Sequence, residues 1–324
     1  MQATLQQSEI ERFETAVIQA QQILLIAHKS PDGDALGAML ALYLALSRAG
    51  KAVTPACVDP IPESFRFLPG GEALMNDINP SEYDLVMTVD CGDLKQTKFN
   101  EMYPELFDGS RTLIKLDHHA MAGDFGDIKL VDTEACASCF ITTRIFETLG
   151  IKIRPDMATC LLNGLYTDTG SFMHSNTDAE VLRMAAKLMR LGANLPAISK
   201  SVFHSTPLSA MRLWGRILST LKQTKDGVTL AVAREKDFSD TGTAAEDMTG
   251  VVDWVNAVPD AKFSILLSER GNLIKASLRT KREDVNVAKI ASAFGGGGHI
   301  KAAGFAVPGR LEEETRWRIA SPGS

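Results

Sequence analysis

No apolar run in this 324-residue chain is long enough to cross a bilayer. The longest, Ala35 to Leu46, falls well short of the about 20 residues a spanning helix needs. The first nine residues lack both a basic start and an apolar stretch, so no secretory signal is expected. A cytoplasmic protein without a membrane partner is the expectation. Cysteine is scarce: Cys57, Cys91, Cys136, Cys139 and Cys160 are all there are. An odd number without an export signal argues against a disulfide framework. Cys136 and Cys139 form one CxxC, but a zinc ribbon needs a second, and none exists. They read as packing groups in the first turn of a helix. A basic excess is missing too. With 34 Lys+Arg against 40 Asp+Glu the net charge is −6, which excludes the global signature of a nucleic-acid binder. There is no internal repeat and no low-complexity tract.

The charge that is present is uneven. From Met211 onward there are 17 basic and 14 acidic residues, a net of +3. The rest carries 34−17 = 17 basic and 40−14 = 26 acidic residues, a net of −9. An acidic first part suits a cation and a mildly basic second part suits an anionic substrate. On charge alone, ordinary surface variation accounts for it equally well.

Histidine is also rare, yet two of the six stand together in Leu113-Ile-Lys-Leu-Asp-His-His119. The apolar run reads as a buried strand that stops at Asp117, His118 and His119. Three other apolar stretches stop at similar groups. Ile23 to Ala27 precedes His28, Asp32 and Asp34; Leu85 to Val89 precedes Asp90; Leu161 to Tyr166 precedes Asp168.

Helical periodicity predicts helices over 8–20, 35–48, 137–149, 155–166 and 179–191, with strands over 23–27, 51–58, 85–90 and 111–117. Alternating strands and helices predict an α/β fold with a mostly parallel sheet covered on both faces. Residues 192–208 hold Pro196, Pro207 and several serines, and are expected to link two domains. A helix over 209–221 then leads into a smaller α+β part. Its strands are expected at 228–233, 261–267, 273–279 and 302–307, its helices at 246–258 and 285–294. That β-α-β-β-α-β order predicts a split βαβ plan.

Ligands in open parallel sheets bind beyond the carboxyl ends of the strands. Three strands ending in acids or histidines predict one shared site, because carboxylates crowded there repel unless a cation lies between them. Oxygen-rich ligands with a few imidazoles suit manganese or magnesium better than zinc. There are enough groups for two ions and a bridging carboxylate. Such a pair clamps a phosphoryl group and acidifies a bridging water, the expected attacking hydroxide. Taken singly the residues have plainer explanations: Asp34 as a helix N-cap, His28 and His118 as structural histidines, Asp168 as a turn cap. Further on, Gly295-Gly-Gly-Gly-His299 allows positive φ and amides aimed at an anion. It is no Walker loop, since no Lys-Ser or Lys-Thr follows. The basic stretch Ser277-Leu-Arg-Thr-Lys-Arg282 lies near it, and arginine suits phosphate. Lys281 and Arg282 also fit a solvated face.

In order, His28-x3-Asp32-x-Asp34, Asp90, Asp117-His118-His119, Asp168 and GGGGH resemble the DHH phosphoesterase family with its DHH-associated domain. The resemblance covers about residues 15 to 308. It implies a catalytic domain over 1–191, the linker 192–208 and a substrate-binding domain over 209–324. It also implies two divalent cations, manganese first, with magnesium or cobalt as alternatives. His28, Asp32 and Asp90 would hold one; Asp34, Asp90, His118 and Asp168 the other, with Asp90 bridging. Asp117 would orient a ligand, and His119 would face the scissile phosphate; the leaving oxygen is expected to be protonated by His119 or by water. Arg279, Gly296, Gly297, Gly298 and His299 would bind the substrate's terminal phosphate. In length and layout the resemblance is to the nanoRNase branch. Expected substrates are therefore short single-stranded RNA, dinucleotides and 3′-phosphoadenosine 5′-phosphate. A phosphodiesterase for cyclic or linear signalling dinucleotides is the alternative enzyme, and a non-catalytic nucleotide-binding regulator the alternative of another class. Oligomeric state is open between monomer and homodimer. One departure stands out: Met173-His174 occupies the place of an Arg-aromatic pair.

Overall fold

The computed structural model describes residues 5–119, 123–203, 206–312 and 314. The chain forms two compact units, Met1–Ser205 and Thr206–Ser324.

The first unit opens with α1 (Gln7–Gln19), an amphipathic helix that buries Ile10, Phe13 and Val17 along one stripe. Then come β1 (Gln22–Ala27), α2 (Gly33–Arg48), β2 (Ala52–Ala56), β3 (Leu85–Val89), the single turn α3 (Phe99–Met102), β4 (Thr112–Asp117) and β5 (Ile128–Val131). Four helices follow: α4 (Ser138–Thr148), α5 (Pro155–Asp168), α6 (Ala179–Arg190) and α7 (Leu195–Phe203). The strands form one all-parallel sheet in the order β2-β1-β3-β4-β5. Strand β3 is buried along its whole length, as a central parallel strand covered on both faces must be. The span 192–208, expected as linker, carries α7, whose Ile198 is buried in this unit's main core.

Strand order positions the site. From β1 the chain turns one way to β2, then returns to place β3 on the other flank of β1. Such a reversal leaves a crevice at the strands' carboxyl ends. Ala27 pairs with Val89, and Val89 with Leu116. The residues that follow, His28, Asp90 and Asp117, therefore emerge side by side.

Helices α2 and α5 pack backbone to backbone behind this row. A side-chain carbon at Gly37 would lie 2.4 Å from the Cys160 carbonyl oxygen. One at Gly164 would lie 2.2 Å from Cys139 Sγ and 2.4 Å from Asp34 Oδ1. Glycine at these two positions lets α5 bring Asp168 up to Asp34.

The second unit contains α8 (Leu208–Ser219), β6 (Lys222–Gln223), β7 (Val228–Ala233), α9 (Glu235–Thr241), α10 (Val251–Val255), β8 (Phe263–Arg270), β9 (Leu273–Arg279), α11 (Val287–Ser292), β10 (Gly297–Gly298) and β11 (Ala302–Pro308). Its mixed sheet runs β10-β11-β9-β8-β7-β6. The α/β class and the order of the main elements are as expected, but the βαβ unit is not split. β7 and β8 pair directly and in parallel, and β9 lies outside β8. The tight turn at Gly271, with φ of 60°, folds β9 back on the flank of β8 away from β7. The helix expected over 246–258 is broken as well. Gly250 adopts φ of 91°, so a 3₁₀ turn (Ala245–Met248) gives way to the short α10.

Candidate metal centre

His28 leaves the end of β1. Its Nδ1 lies 2.8 Å from the Lys29 carbonyl, so that nitrogen is the donor there and Nε2 is the one turned into the site. Nε2 sits 3.8 Å from Asp32 Oδ2 and 3.7 Å from Asp90 Oδ2. Asp32, not Asp34, is the N-cap of α2: its Oδ1 accepts the amides of Asp34 and Ala35, both at 3.0 Å. One carboxylate oxygen holds the helix and the other faces His28. Asp34 lies two residues on, within the first turn, and is 1% exposed. It accepts the amides of Ser138 at 2.6 Å and Cys139 at 2.9 Å, at the start of α4. Two helix N-termini thus converge on Asp34, which favours its negative charge.

Asp90 stands in the left-handed region with φ of 59°, a conformation an aspartate tolerates better than most residues. Its amide donates to Leu116 O at 2.8 Å, and its Oδ1 accepts Ser138 Oγ at 2.9 Å. Buried to 2% exposure, it lies within 4 Å of three imidazoles: His28, His118 and His119. His118 Nδ1 lies 3.2 Å from the Ala135 carbonyl. Its Nε2 faces Asp34 at 4.0 Å, Asp90 at 3.6 Å and Asp168 at 3.7 Å. His119 Nδ1 is 2.7 Å from Asp117 Oδ1, which fixes the ring. Asp117 is fully buried beside the ammonium of Lys115 at 3.4 Å.

Asp168 ends α5 as its last helical residue. The chain then makes a tight turn with left-handed Gly170, Ser171 and Phe172. Phe172 packs edge-on against Tyr166 and anchors this turn. Met173 is 75% exposed, while the His174 ring lies against Gly170, where a side-chain carbon would come within 2.2 Å of Nε2. His174 is thus a packing group against the turn backbone.

Three sets of possible ligand atoms lie within 4.8 Å of one another: His28, Asp32, Asp90; Asp34, His118, Asp168; and Asp90, His118, His119. The six expected ligands are all brought together, and Asp90 lies at the centre. Separations of 3.6 to 4.0 Å between imidazole nitrogen and carboxylate oxygen are too long for hydrogen bonds. They match two ligands of one ion, which at bonds of about 2.1 Å lie about 3.0 to 4.2 Å apart. Both His28 and His118 use Nδ1 on a carbonyl and turn Nε2 inward, the arrangement of a metal-binding histidine. The donor set fits divalent cations of the oxygen-seeking kind. None of the five cysteines joins it; all are buried and free.

The electrostatics reflect the crowding. Burial, then the charge of Asp90, then that of Asp32 push the Asp168 carboxyl up to about 7. Asp34 is raised well above the carboxylate range by burial and then by Asp90 and Asp168. Burial works against ionisation of Asp90 too, but His28, His118 and His119 outweigh it and hold it below the ordinary value. Burial disfavours charge on His28, yet Asp90 and Asp32 lift it to about 9. His119 reaches about 9 through its bond to Asp117, against burial.

In the second unit the register puts Arg279 opposite Ala302, and Ala302 O accepts the His299 amide at 2.7 Å. Arg279 and the His299 turn are therefore neighbours. Burial disfavours the Arg279 charge, and Asp253 opposes that effect. The glycines differ from the expected amide cradle. Gly295 and Gly296 donate to Ser292 and Ala291 and close α11, while Gly297 and Gly298 pair with Gly304 and Ala303 as β10. A side-chain carbon at Gly296 would lie 2.2 Å from Gly304 O, so close backbone approach is what requires glycine there. Arg282 is bidentate to Asp284 and belongs to the solvated face.

Profiles described as the DHH family, N-terminal domain, and the DHHA1 domain match residues 22–165 and 215–316. The chain is 32% identical over 287 residues to the bifunctional oligoribonuclease and PAP phosphatase NrnA of Thermus thermophilus, covering 89% of this chain and 84% of that one. The chain belongs to the DHH family. A protein of the same name from Bacillus subtilis is 24% identical over 88% of this chain and 89% of its own. Among solved structures, an exopolyphosphatase-related protein from Bacteroides fragilis superposes with a TM-score of 0.86 at 26% identity, covering 97% of this chain and 94% of that one. In this DHH-family chain, two residues of the site escaped the motifs. Ser138 bonds both Asp90 and Asp34, and Lys115 lies against Asp117. Ser138 carried no signal beyond starting a helix. Lys115 was visible only as a lysine inside an apolar strand.

Proposed function

We propose that this chain is a two-cation phosphoesterase that cuts very short oligoribonucleotides to mononucleotides and removes the 3′-phosphate of 3′-phosphoadenosine 5′-phosphate. The observation that carries the reading is the clustering of His28, Asp32, Asp34, Asp90, His118 and Asp168 around one crevice, with Asp90 in reach of both halves. His28, Asp32 and Asp90 would hold one ion and Asp34, Asp90, His118 and Asp168 the other; manganese is the expected ion. When bound, two such cations neutralise a phosphoryl group and lower the pKa of water. The names of the Thermus and Bacillus relatives support the substrate classes.

The protein's own groups do the rest. Asp34, fixed by the Ser138 and Cys139 amides at the start of α4, and Asp32, fixed as the N-cap of α2, keep the ligand frame rigid. Asp117 orients His119 and raises its affinity for a proton. His119 then delivers a proton to the oxygen that leaves phosphorus. Arg279 and His299 bind the terminal phosphate of the substrate, while Gly296, Gly297 and Gly298 let the backbone beside His299 fold as a tight hairpin rather than offering their own amides.

A substrate panel with manganese tests the proposal. Dinucleotides should yield mononucleotides, and the bisphosphorylated adenosine should yield phosphate. Longer strands, cyclic dinucleotides and pyrophosphate should react much more slowly. A preference for pyrophosphate or cyclic dinucleotides would overturn the substrate assignment.

A further inference from the structure

Lys115 is a charged residue inside a central parallel strand, 2% exposed. Its ammonium donates to Gly92 O at 3.2 Å and Gly123 O at 3.0 Å, and lies 4.3 Å over the Phe125 ring centre. The remaining neighbour is Asp117 Oδ2 at 3.4 Å. That oxygen is buried and accepts no hydrogen bond among the described residues. The other oxygen, Oδ1, accepts both the amide and Nδ1 of His119. A buried carboxylate with one unbonded oxygen is unstable unless a cation faces it, and Lys115 faces it. Strand geometry makes the contact possible: residues 115 and 117 lie on the same face of β4.

We propose that Lys115 is a positioning residue that locks Asp117, and through it the His119 ring, in the orientation that points into the crevice. Among the described residues, the Lys115 ammonium contacts Gly92, Gly123, Asp117 and Phe125 and bonds to none of the proposed ion ligands. It also ties the segments after β3 and β4 together through Gly92 and Gly123. A neutral residue at 115 removes the counter-charge of Asp117. Asp117 is then free to turn, and the His119 ring loses the carboxylate that fixes its Nδ1. This proposal rests on the phosphoesterase reading for its kinetic consequence, but not for its structural one.

The test therefore has two arms. The first uses metal-free protein and two-bond ¹H–¹⁵N spectra of the imidazoles, with His119 assigned by its absence in His119→Gln. In the parent, His119 should show one fixed ring state with Nδ1 bonded to a carboxylate. Lys115→Met and Lys115→Gln should shift and broaden that signal while His28 and His118 stay unchanged. The second arm measures dinucleotide cleavage. kcat should fall about 10- to 100-fold, the usual cost of losing an outer partner of a site, with KM and manganese affinity within twofold of the parent. Lys115→Arg should recover part of both signals. If the His119 signal moves but the parent cleaves no phosphate ester, the positioning role stands and the functional reading falls. An unchanged His119 signal in a folded neutral variant would overturn the proposal. Failure of both neutral variants to fold would overturn it too, since Lys115 would then serve the strand as a whole.

Discussion

Asp90 carries more of the site than any other residue. It is buried, left-handed, and within 4 Å of three imidazoles. Replacing it by Asn keeps the volume and removes the shared charge. We predict that Asp90→Asn loses at least about 10³-fold in kcat, about 4 kcal/mol of barrier, while thermal unfolding stays cooperative. His28 supplies a pH prediction. Its value of about 9 in the cation-free site means that it is protonated at neutral pH and must lose that proton to bind an ion. Manganese affinity should therefore rise about tenfold per pH unit between pH 7 and 9 and then level off. Calorimetry in buffers of different ionisation enthalpy should detect the released proton. Asp168 predicts the opposite trend in stability. A carboxyl raised to about 7 when folded costs stability as pH climbs from about 4 through 7. Cation-free Asp168→Asn should thus be more stable than the parent at pH 8, by about 1–2 kcal/mol once its partial exposure is allowed for. The difference should vanish near pH 4. At this scale the sequence showed which residues met, because acids and histidines broke off apolar runs. It did not show which oxygen does what. Asp32 rather than Asp34 caps α2, a matter of backbone dihedrals that the Asp-Gly-Asp spelling leaves open.

Among the elements, the close pair α2 and α5 decides how near Asp34 and Asp168 come. Gly37 faces a backbone carbonyl that cannot step aside, and Gly164 faces Asp34 itself. Gly164→Ala should destabilise the protein by about 1–3 kcal/mol through overpacking and weaken cation binding, read by a smaller manganese-induced rise in melting temperature. Strands β1, β3 and β4 were legible because continuous apolar runs mark buried parallel strands. β5 and β10 were not, because four and two residues are too few to show a period. The pairing of β7 with β8 was also hidden. Strand neighbours are set by long-range packing, and β-α-β-β-α-β is compatible with more than one order. The GGGGH stretch teaches the same lesson, since glycine permits both an anion cradle and a tight hairpin, and the register with β11 selects the hairpin.

Taken whole, the molecule has an acidic unit that gathers ion ligands and a second unit that carries Arg279 beside the His299 turn. Arg279→Ala should raise KM about 10- to 100-fold, the range for a lost charged hydrogen bond of about 1.5–3 kcal/mol, with a smaller change in kcat. Divalent cations should stabilise the fold. At 100 times the dissociation constant the gain is about 2.7 kcal/mol, visible as a higher melting temperature that chelation reverses. The central claim is that the carboxylate and histidine cluster holds divalent cations in order to cut phosphate esters. Its most direct test strips the protein of metal and follows mononucleotide release from a diribonucleotide as manganese is added back, alongside Asp90→Asn. The account predicts no release without metal, release that saturates as the sites fill, and none from Asp90→Asn. Full manganese occupancy without release, or Asp90→Asn activity within about tenfold of the parent, would contradict it.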